Sequence, residues 1–454
     1  MLLDPVQGRG GPPPRIDLMT ERSTEDPPTP ISAGRGAASC YAALLLTSTA
    51  AAGLGVYGFL VLAKRGMTLD QWSHFSVFWS VALVVGFGFF LPLEQEGSRL
   101  LRPGMSRASL HPLVRVAVLA SLAAGIALVV GLPVLLPALR QEKSLFVLLL
   151  AVASVSALQF FTRGVMLGLG HRRPYVAALA ADGLLRLCLA AVLLLWGVHG
   201  AMPFSAALVV AILLSHLVAL IVVLARVPKF PAAGTTEAPT RDSQVALRGW
   251  LRLLPASLAA QVLQNGAPFA VALVASASES NAPGPFLAAF TLARIPLFMA
   301  VPIQSALVPP LAQLAREGRS DRVVALVAKL AGVTAAAAVV GALAAFLFGR
   351  PVLALLFGAE LSVPRADLAL MVAGVCVHVG LVVVTQALVA LNMHGRAGVA
   401  WVSGLAAAAG VFIVVQPLLL RAELAFLAGS LVGAVTGTIG VSRAVRRSKV
   451  RRVE

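Results

Sequence analysis

The stretch FLAAFTLARIPLFMAVPIQSALVPP, residues 286–310, is an apolar run of membrane length with one charged residue, Arg294, near its middle. At about 1.5 Å of rise per helical residue, Arg294 lies about 12 Å from Phe286, near the centre of a hydrocarbon core about 30 Å thick. An arginine there costs about 2.5–3.5 kcal/mol, and none of its helical neighbours is acidic. Arg294 is therefore predicted to face either a polar cavity or an acidic residue of another helix.

The whole chain has the composition of a membrane protein. Of its 454 residues, 59% are hydrophobic and 12% are charged, and the mean hydropathy is +0.90. The net charge is +17, but the basic residues gather at the ends of apolar runs, which favours a role in membrane topology over nucleic-acid binding. The sequence contains no phosphate-binding loop, nucleophile elbow or zinc motif, and the three cysteines lack metal or disulfide spacing, so we expect neither an enzyme nor a bound cofactor.

Twelve apolar runs are long enough to span a membrane. They lie at about 41–63, 73–91, 113–136, 144–162, 176–197, 204–225, 250–275, 286–308, 324–348, 366–391, 397–420 and 423–442. If both termini are cytosolic, the cytosolic loops and carboxy-terminal tail carry 20 Lys and Arg residues against 7 in the outer loops. The positive-inside rule thus predicts a multi-pass protein of the cell membrane with both termini in the cytosol.

The spans divide six and six around a hydrophilic segment. Residues 226–248 are predicted to be a cytosolic linker between an amino-terminal lobe, 38–225, and a carboxy-terminal lobe, 249–443. Residues 1–37 are predicted to be a disordered cytosolic tail, and 444–454 a basic cytosolic tail.

Short echoes relate the two halves. Thr, His and Arg residues recur at a common offset of 223, as Thr162, His171 and Arg173 in the first half and Thr385, His394 and Arg396 in the second. A second echo, at an offset of 210, matches Pro92 and Glu94 with Pro302 and Gln304. In both cases the matched residues of the second half lie six spans after those of the first half. The predicted fold is therefore an all-α polytopic membrane protein with about 12 transmembrane helices in two parallel six-helix lobes around a central cavity.

Several predicted spans contain polar residues besides Arg294. Asp182 and Arg186 are four residues apart in span five, so they either pair with each other or serve as a proton-coupling carboxylate and an anion ligand. Span seven holds three amides, which either bond neighbouring helices or line a cavity: Gln261, Gln264 and Asn265. The prolines of spans seven and eight favour kinked or broken helices.

Charged residues also gather where span two leaves the membrane. Glu94, Glu96 and Arg99 form either a solvated, mutually paired helix end or a cytoplasmic gate contact. Gln304, the counterpart of Glu94 in the echo, is a further gate candidate.

Four stretches resemble the polysaccharide-export and lipid-linked oligosaccharide flippase branch of the multidrug/oligosaccharidyl-lipid/polysaccharide exporter superfamily. The resemblance is diffuse, and the stretches are LPLEQEGSR (91–99), TRGVMLGLGHRRPY (162–175), LLPASLAAQVLQN (253–265) and ARIPLFMAVPIQSALVPPLAQLA (293–315). It implies alternating access that moves a polyprenyl-linked glycan to the outer leaflet, with an ion gradient or the membrane potential as energy source. Glycosyltransferases and a glycan polymerase are the implied partners, together with membrane lipids.

The substrate class follows from the charges available at mid-depth. A lipid pyrophosphate is anionic, and guanidinium groups bind phosphate oxygens in a planar fork, so Arg294 and Arg186 are the candidate ligands. A MATE-like cation antiporter is the alternative, and a non-transporting membrane assembly factor is the third.

Overall fold

The computed structural model describes residues 32–229, 243–295 and 319–450, with five single positions between 297 and 317. The regular structure in these ranges is helical, as predicted. Fourteen α-helices follow one another: α1 Ser32–Arg65, α2 Leu69–Leu100, α3 His111–Val130, α4 Leu132–Ala138, α5 Lys143–Gly168, α6 Arg172–Leu195, α7 Ala201–Arg226, α8 Ser243–Asn265, α9 Ala267–Val274, α10 Pro283–Ala293, α11 Ser320–Phe357, α12 Arg365–Ala390, α13 His394–Val414 and α14 Leu418–Val450.

Every predicted span coincides at least in part with one of these helices. Nine described helices are long and apolar enough to cross a membrane, and the bent pair α8 and α9 raises that number to ten. Helix α10 is shorter and ends at Ala293; most of the run after Arg294 lies outside the described residues, as does the gate candidate Gln304. The amino-terminal tail up to residue 31 and most of the predicted linker, 230–242, also lie outside them, so the lobe boundaries stay a prediction.

Helix α2 lies at the centre of the bundle. It packs against α3, α5, α8 and α10, and 72% of its most apolar 18-residue stretch is buried. A helix that is apolar on all sides is stable only when other helices surround it or lipid solvates it. Trp72 of α2 is fully buried, and its indole Nε1 donates a hydrogen bond to the Gly284 carbonyl at 2.9 Å. Helix α2 therefore joins the first half of the chain to the second.

Span seven is broken, as its prolines predict. Helix α8 ends at Asn265, and α9 continues from Ala267 at an angle of 68°. Pro268 lies in the first turn of α9, where its missing N–H costs no helical hydrogen bond. Pro255 is different, because α8 continues through it. The break therefore forms at the second proline and leaves the end of α8 inside the bundle.

Glycines allow α1 and α6 to cross closely. A Cβ atom on Gly55 would lie 2.4 Å from the carbonyl oxygen of Gly183, so only glycine fits at this backbone contact. The crossing fixes the position of α6, which carries Asp182 and Arg186.

At the predicted outer end of the bundle, polar contacts join the two halves of the chain. Lys64, at the end of α1, pairs with Glu360 at 2.9 Å. Arg140, which precedes α5, pairs with Asp70 and donates a hydrogen bond to the Asn281 side chain at 2.8 Å. These contacts hold the two halves together on that side.

Candidate functional site

Arg294 lies at the carboxyl end of α10, next to the break between α8 and α9. The eleven residues of α10 place it about 16 Å from the start of the helix, consistent with a mid-depth position. The side chain is partly buried, and its guanidinium carbon lies 5.1 Å from the centre of the Phe290 ring. This arrangement is a cation–π contact, which favours a charged guanidinium.

Two of the predicted amides continue from Arg294 in a chain of hydrogen bonds. Arg294 Nη2 donates to Asn265 Oδ1 at 2.6 Å, and Asn265 Nδ2 donates to Gln261 Oε1 at 2.7 Å. The hydroxyl of Ser80 in α2 donates to the Asn265 carbonyl at 2.5 Å, which satisfies a carbonyl freed by the helix break. Gln264 is partly buried, and among the described residues no hydrogen bond connects it to the other two amides. The structure therefore brings together Arg294, Asn265 and Gln261.

The charge of Arg294 is not neutralised by a carboxylate within the described part of the chain. The ion pairs there involve other residues, and the side-chain hydrogen bond of Arg294 goes to a neutral amide. Helices α8 and α10 both end at this point, so the negative ends of two helix dipoles face the guanidinium. The dipoles stabilise the cation but leave its net charge. Among the described residues Arg294 thus has an amide partner and no ion pair, and the polar cavity around it stays a prediction.

Aromatic residues of the carboxy-terminal half surround this site. The Phe290 ring meets the Phe426 ring edge-on at 5.1 Å, and Phe426 stacks on His378 at the same distance. His378 is fully buried and forms a 3.0 Å hydrogen bond with Ser430 through Nδ1. These contacts join α10, α12 and α14. The residues in contact are more than 40 positions apart in the sequence, so no local sequence pattern predicts the contacts.

Arg186 and Asp182 form a closed pair in the amino-terminal half. Arg186 Nη2 lies 2.5 Å and Nε 3.1 Å from the two carboxylate oxygens of Asp182, and both residues are less than one-tenth exposed. The pairing predicted from their spacing is confirmed. Arg186 is thus engaged by a carboxylate and differs in this respect from Arg294.

Glu94 and Glu96 have different partners, which corrects the expectation of a single solvated cluster with Arg99. Glu94 is 5% exposed and pairs with Arg163 of α5 at 3.1 Å, and the Tyr175 hydroxyl donates to it at 3.1 Å. Its burial against α5 and α6 places it within the amino-terminal half. The expectation fails because sequence spacing does not reveal which other helices cover this face of α2.

Glu96 remains near the boundary of the two halves. It pairs with Arg99 at 2.6 Å, and its carboxylate lies so close to Gly249 of α8 that a Cβ atom there would be 2.3 Å away. Glu96 thus lies in a contact between α2 and α8, and its gate role stays a prediction.

A buried acid that the sequence did not single out lies in α14. Glu423 is 2% exposed, and neither carboxylate oxygen has a hydrogen-bond partner among the described residues. The apolar run predicts a span that begins at residue 423, which would place the carboxylate at the membrane surface. Helix α14 instead begins at Leu418, more than one turn earlier. The leucines at 418–420 are the sequence signal that would have extended the span and placed Glu423 inside it.

Comparison with known proteins gives uncharacterized relatives. No family model matches the chain. An uncharacterized protein of Mycobacterium tuberculosis is 27% identical over 439 residues, which cover 94% of this chain and 98% of the relative. An uncharacterized protein of Mycobacterium bovis is 27% identical over 424 residues, which cover 91% and 94%.

Solved structures with a similar fold are transporters. An inward-facing multidrug resistance MATE family transporter of the MOP superfamily superposes with a TM-score of 0.60 at 16% identity, covering 90% of this chain and 99% of the other. A MATE transporter of Vibrio cholerae gives a TM-score of 0.58 at 12% identity, covering 90% and 98%. The predicted polytopic all-α fold is therefore confirmed, and it is the fold of the MATE transporters.

Proposed function

We propose, on the premise of this fold, that the protein is a membrane transporter that moves an anionic polyprenyl-linked glycan from the cytosolic to the outer leaflet by alternating access. It lies in the cell membrane with both termini in the cytosol, as the distribution of Lys and Arg predicts. The glycan serves cell-surface polysaccharide biosynthesis. Glycosyltransferases that make the substrate and a polymerase that uses it are the partners.

The single observation that carries this proposal is the charge of Arg294. Intramembrane charges are costly and usually mark a binding site or pathway. The buried acids Glu94 and Asp182 each have an arginine partner, whereas Arg294 has no carboxylate partner among the described residues. A site that keeps a net positive charge near mid-depth is complementary to an anionic group.

The geometry around Arg294 suits a diphosphate. A guanidinium has five N–H donors, and one of its nitrogens is engaged by Asn265. The remaining donors can bind two oxygens of one phosphate in a fork. The bond from Asn265 to Gln261 fixes the orientation of the Asn265 amide, so the guanidinium is held in place before substrate arrives. Because Arg186 is paired with Asp182, the proposal assigns it a structural role.

The experiment is a translocation assay in proteoliposomes with a fluorescent undecaprenyl diphosphate disaccharide as probe. Charge-assisted hydrogen bonds contribute about 1.5–3 kcal/mol, so Arg294→Ala should weaken apparent affinity about tenfold to a hundredfold. Arg294→Lys keeps the positive charge but loses the forked donor geometry, so its apparent affinity should lie between those of the wild type and Arg294→Ala. Arg252→Ala is the matched control, because Arg252 lies exposed on α8. Unchanged translocation by Arg294→Ala would remove this residue from the mechanism.

A cation antiporter is the second candidate. The similar solved structures include multidrug resistance transporters, and Glu423 is a buried acid without a partner among the described residues. An antiporter of this class would accumulate or expel a lipophilic cation, and Arg294→Ala would leave that activity intact or raise it. Arg294→Ala should thus weaken glycolipid translocation but not cation transport, which distinguishes the two candidate functions.

A further inference from the structure

Glu423 differs from the other buried acids of the described chain. Glu94, Glu96 and Asp182 are all less than one-tenth exposed, and each lies in an ion pair with an arginine. Glu423 is equally buried, at 2% exposure, yet neither of its oxygens accepts a hydrogen bond from a described residue. A carboxylate in such surroundings has to be neutralised, by a proton or by a bound cation.

The charged groups on the surrounding helices do not supply that neutralisation. The nearby charge that acts on Glu423 is another acid, Asp367 of α12. Helix α9 and the last ten residues of α13 contain no titratable residue. Other titratable or charged groups on α14, on the helices packed against it and around its outer end include Arg248 and Arg252 of α8; Glu279 and Arg294; Asp321, Arg322, Lys329 and Arg350 of α11; Arg365, Cys376 and His378 of α12; His394 and Arg396 of α13; and Arg421. None of the described groups is bonded to Glu423, because neither carboxylate oxygen accepts a hydrogen bond from a described residue and none of the ion pairs among the described residues includes it.

A proton fits this site better than a metal ion. A divalent cation needs about six oxygen or nitrogen ligands. Within the described ranges no three His, Cys, Asp or Glu side chains come together as a metal site. A proton requires one carboxylate oxygen, and the neighbouring Asp367 makes a second negative charge unfavourable.

A cavity lies near Glu423 at the predicted outer end of the bundle. It has a volume of about 450 Å³ and is lined by Leu418 and Leu419 of α14 and by five residues around the start of α10: Ser278, Glu279, Asn281, Ala282 and Pro285. Leu419 and Glu423 are four residues apart, so they share one face of α14. Glu423 therefore lies about 6 Å deeper along the helix than the cavity wall, which is about one helical turn.

We infer that Glu423 is a proton-binding site reached from the predicted outer side. The coupling role rests on the proposed transport function: a proton from outside binds the carboxylate, the protein changes its facing state, and the proton leaves on the cytosolic side as substrate moves outward. The charge stays balanced, since one proton enters the site and one proton leaves it. Asp182 has no such role, because Arg186 already neutralises it.

The first experiment tests the site without any transported substrate. Infrared difference spectra of the purified full-length protein, recorded over a pH titration, should show a carboxylic-acid band that disappears in Glu423→Gln. The band should persist in Glu142→Gln, a control acid exposed at the same end of the bundle. Glu423→Asp keeps a titratable group and should retain a shifted band. Identical spectra for wild type and Glu423→Gln would overturn the inference.

The second experiment tests coupling with the same fluorescent undecaprenyl diphosphate probe. A gradient of one pH unit, acidic on the predicted outer side, can shift the outward distribution of substrate by at most about tenfold per proton. We expect this shift in wild type and Glu142→Gln, and no shift in Glu423→Gln. A response to a sodium gradient instead, or an undiminished pH response in Glu423→Gln, would contradict proton coupling here. If the wild-type protein fails to move the probe, the proposed function is wrong. The infrared titration then still shows whether Glu423 binds a proton.

Discussion

The pairing of Asp182 with Arg186 makes a quantitative prediction about stability. Both side chains are less than one-tenth exposed, and two nitrogens of Arg186 lie 2.5 and 3.1 Å from the carboxylate oxygens. Replacing Arg186 by Gln leaves Asp182 buried and unpaired, which costs about 3–5 kcal/mol of unfolding free energy. Asp182→Asn leaves the guanidinium unpaired at a similar cost. The double variant removes both charges, so it should lose about as much as one single variant.

The assay is a double-mutant cycle. Unfolding of the purified protein in mixed micelles of rising sodium dodecyl sulfate content, followed by circular dichroism, gives the free energy of each variant. We expect a coupling energy of about 3–5 kcal/mol between Asp182 and Arg186, equal to the loss in one single variant. Arg252→Gln, at an exposed position of α8, should change stability by less than about 0.5 kcal/mol. Additive losses in the double variant would refute the pairing, and a stable Arg186→Gln that no longer transports would make Arg186 a substrate ligand.

Two further predictions concern helix packing and the predicted outer end. Gly55→Ala places a Cβ 2.4 Å from a carbonyl oxygen of α6 and should cost about 1–3 kcal/mol in the same unfolding assay, whereas Gly125→Ala, with open space around it, should cost nothing. The hydrogen bond from Lys64 lowers the pKa of Glu360 below its usual 4.5, so the contact stabilises the two halves at the outer end above that pH and is lost as pH falls through the lowered pKa. Spin-label distances across this end should lengthen in Glu360→Gln at neutral pH but not in Glu142→Gln; equal distances in both would contradict a closing role.

Local features of the sequence predicted much of the fold. Apolar runs located the helices, the proline at 268 anticipated the break after α8, and a spacing of four residues anticipated the pair of Asp182 and Arg186. These features depend on residues close together in the chain, where helical geometry alone fixes the distances.

The partners of Glu94 and the burial of Glu423 depend instead on helices far away in sequence. Arg163 meets Glu94 from another helix, across a separation that no periodicity encodes. Glu423 lies where the hydropathy pattern begins, and its burial comes from the helices that pack against α14. The hydrogen bond between Arg294 and Asn265 likewise follows from the crossing of two helix ends, although both residues were candidates individually.

The charge of the transported substrate tests the central claim most directly. Proteoliposomes that contain the wild-type protein can be supplied with a fluorescent undecaprenyl diphosphate disaccharide and, in parallel, with a fluorescent lipophilic cation. The site at Arg294 predicts protein-dependent translocation of the diphosphate lipid, with apparent affinity weakened about tenfold to a hundredfold in Arg294→Ala and unchanged in Arg252→Ala, and no movement of the cation. Efflux of the cation without translocation of the diphosphate lipid would contradict the account.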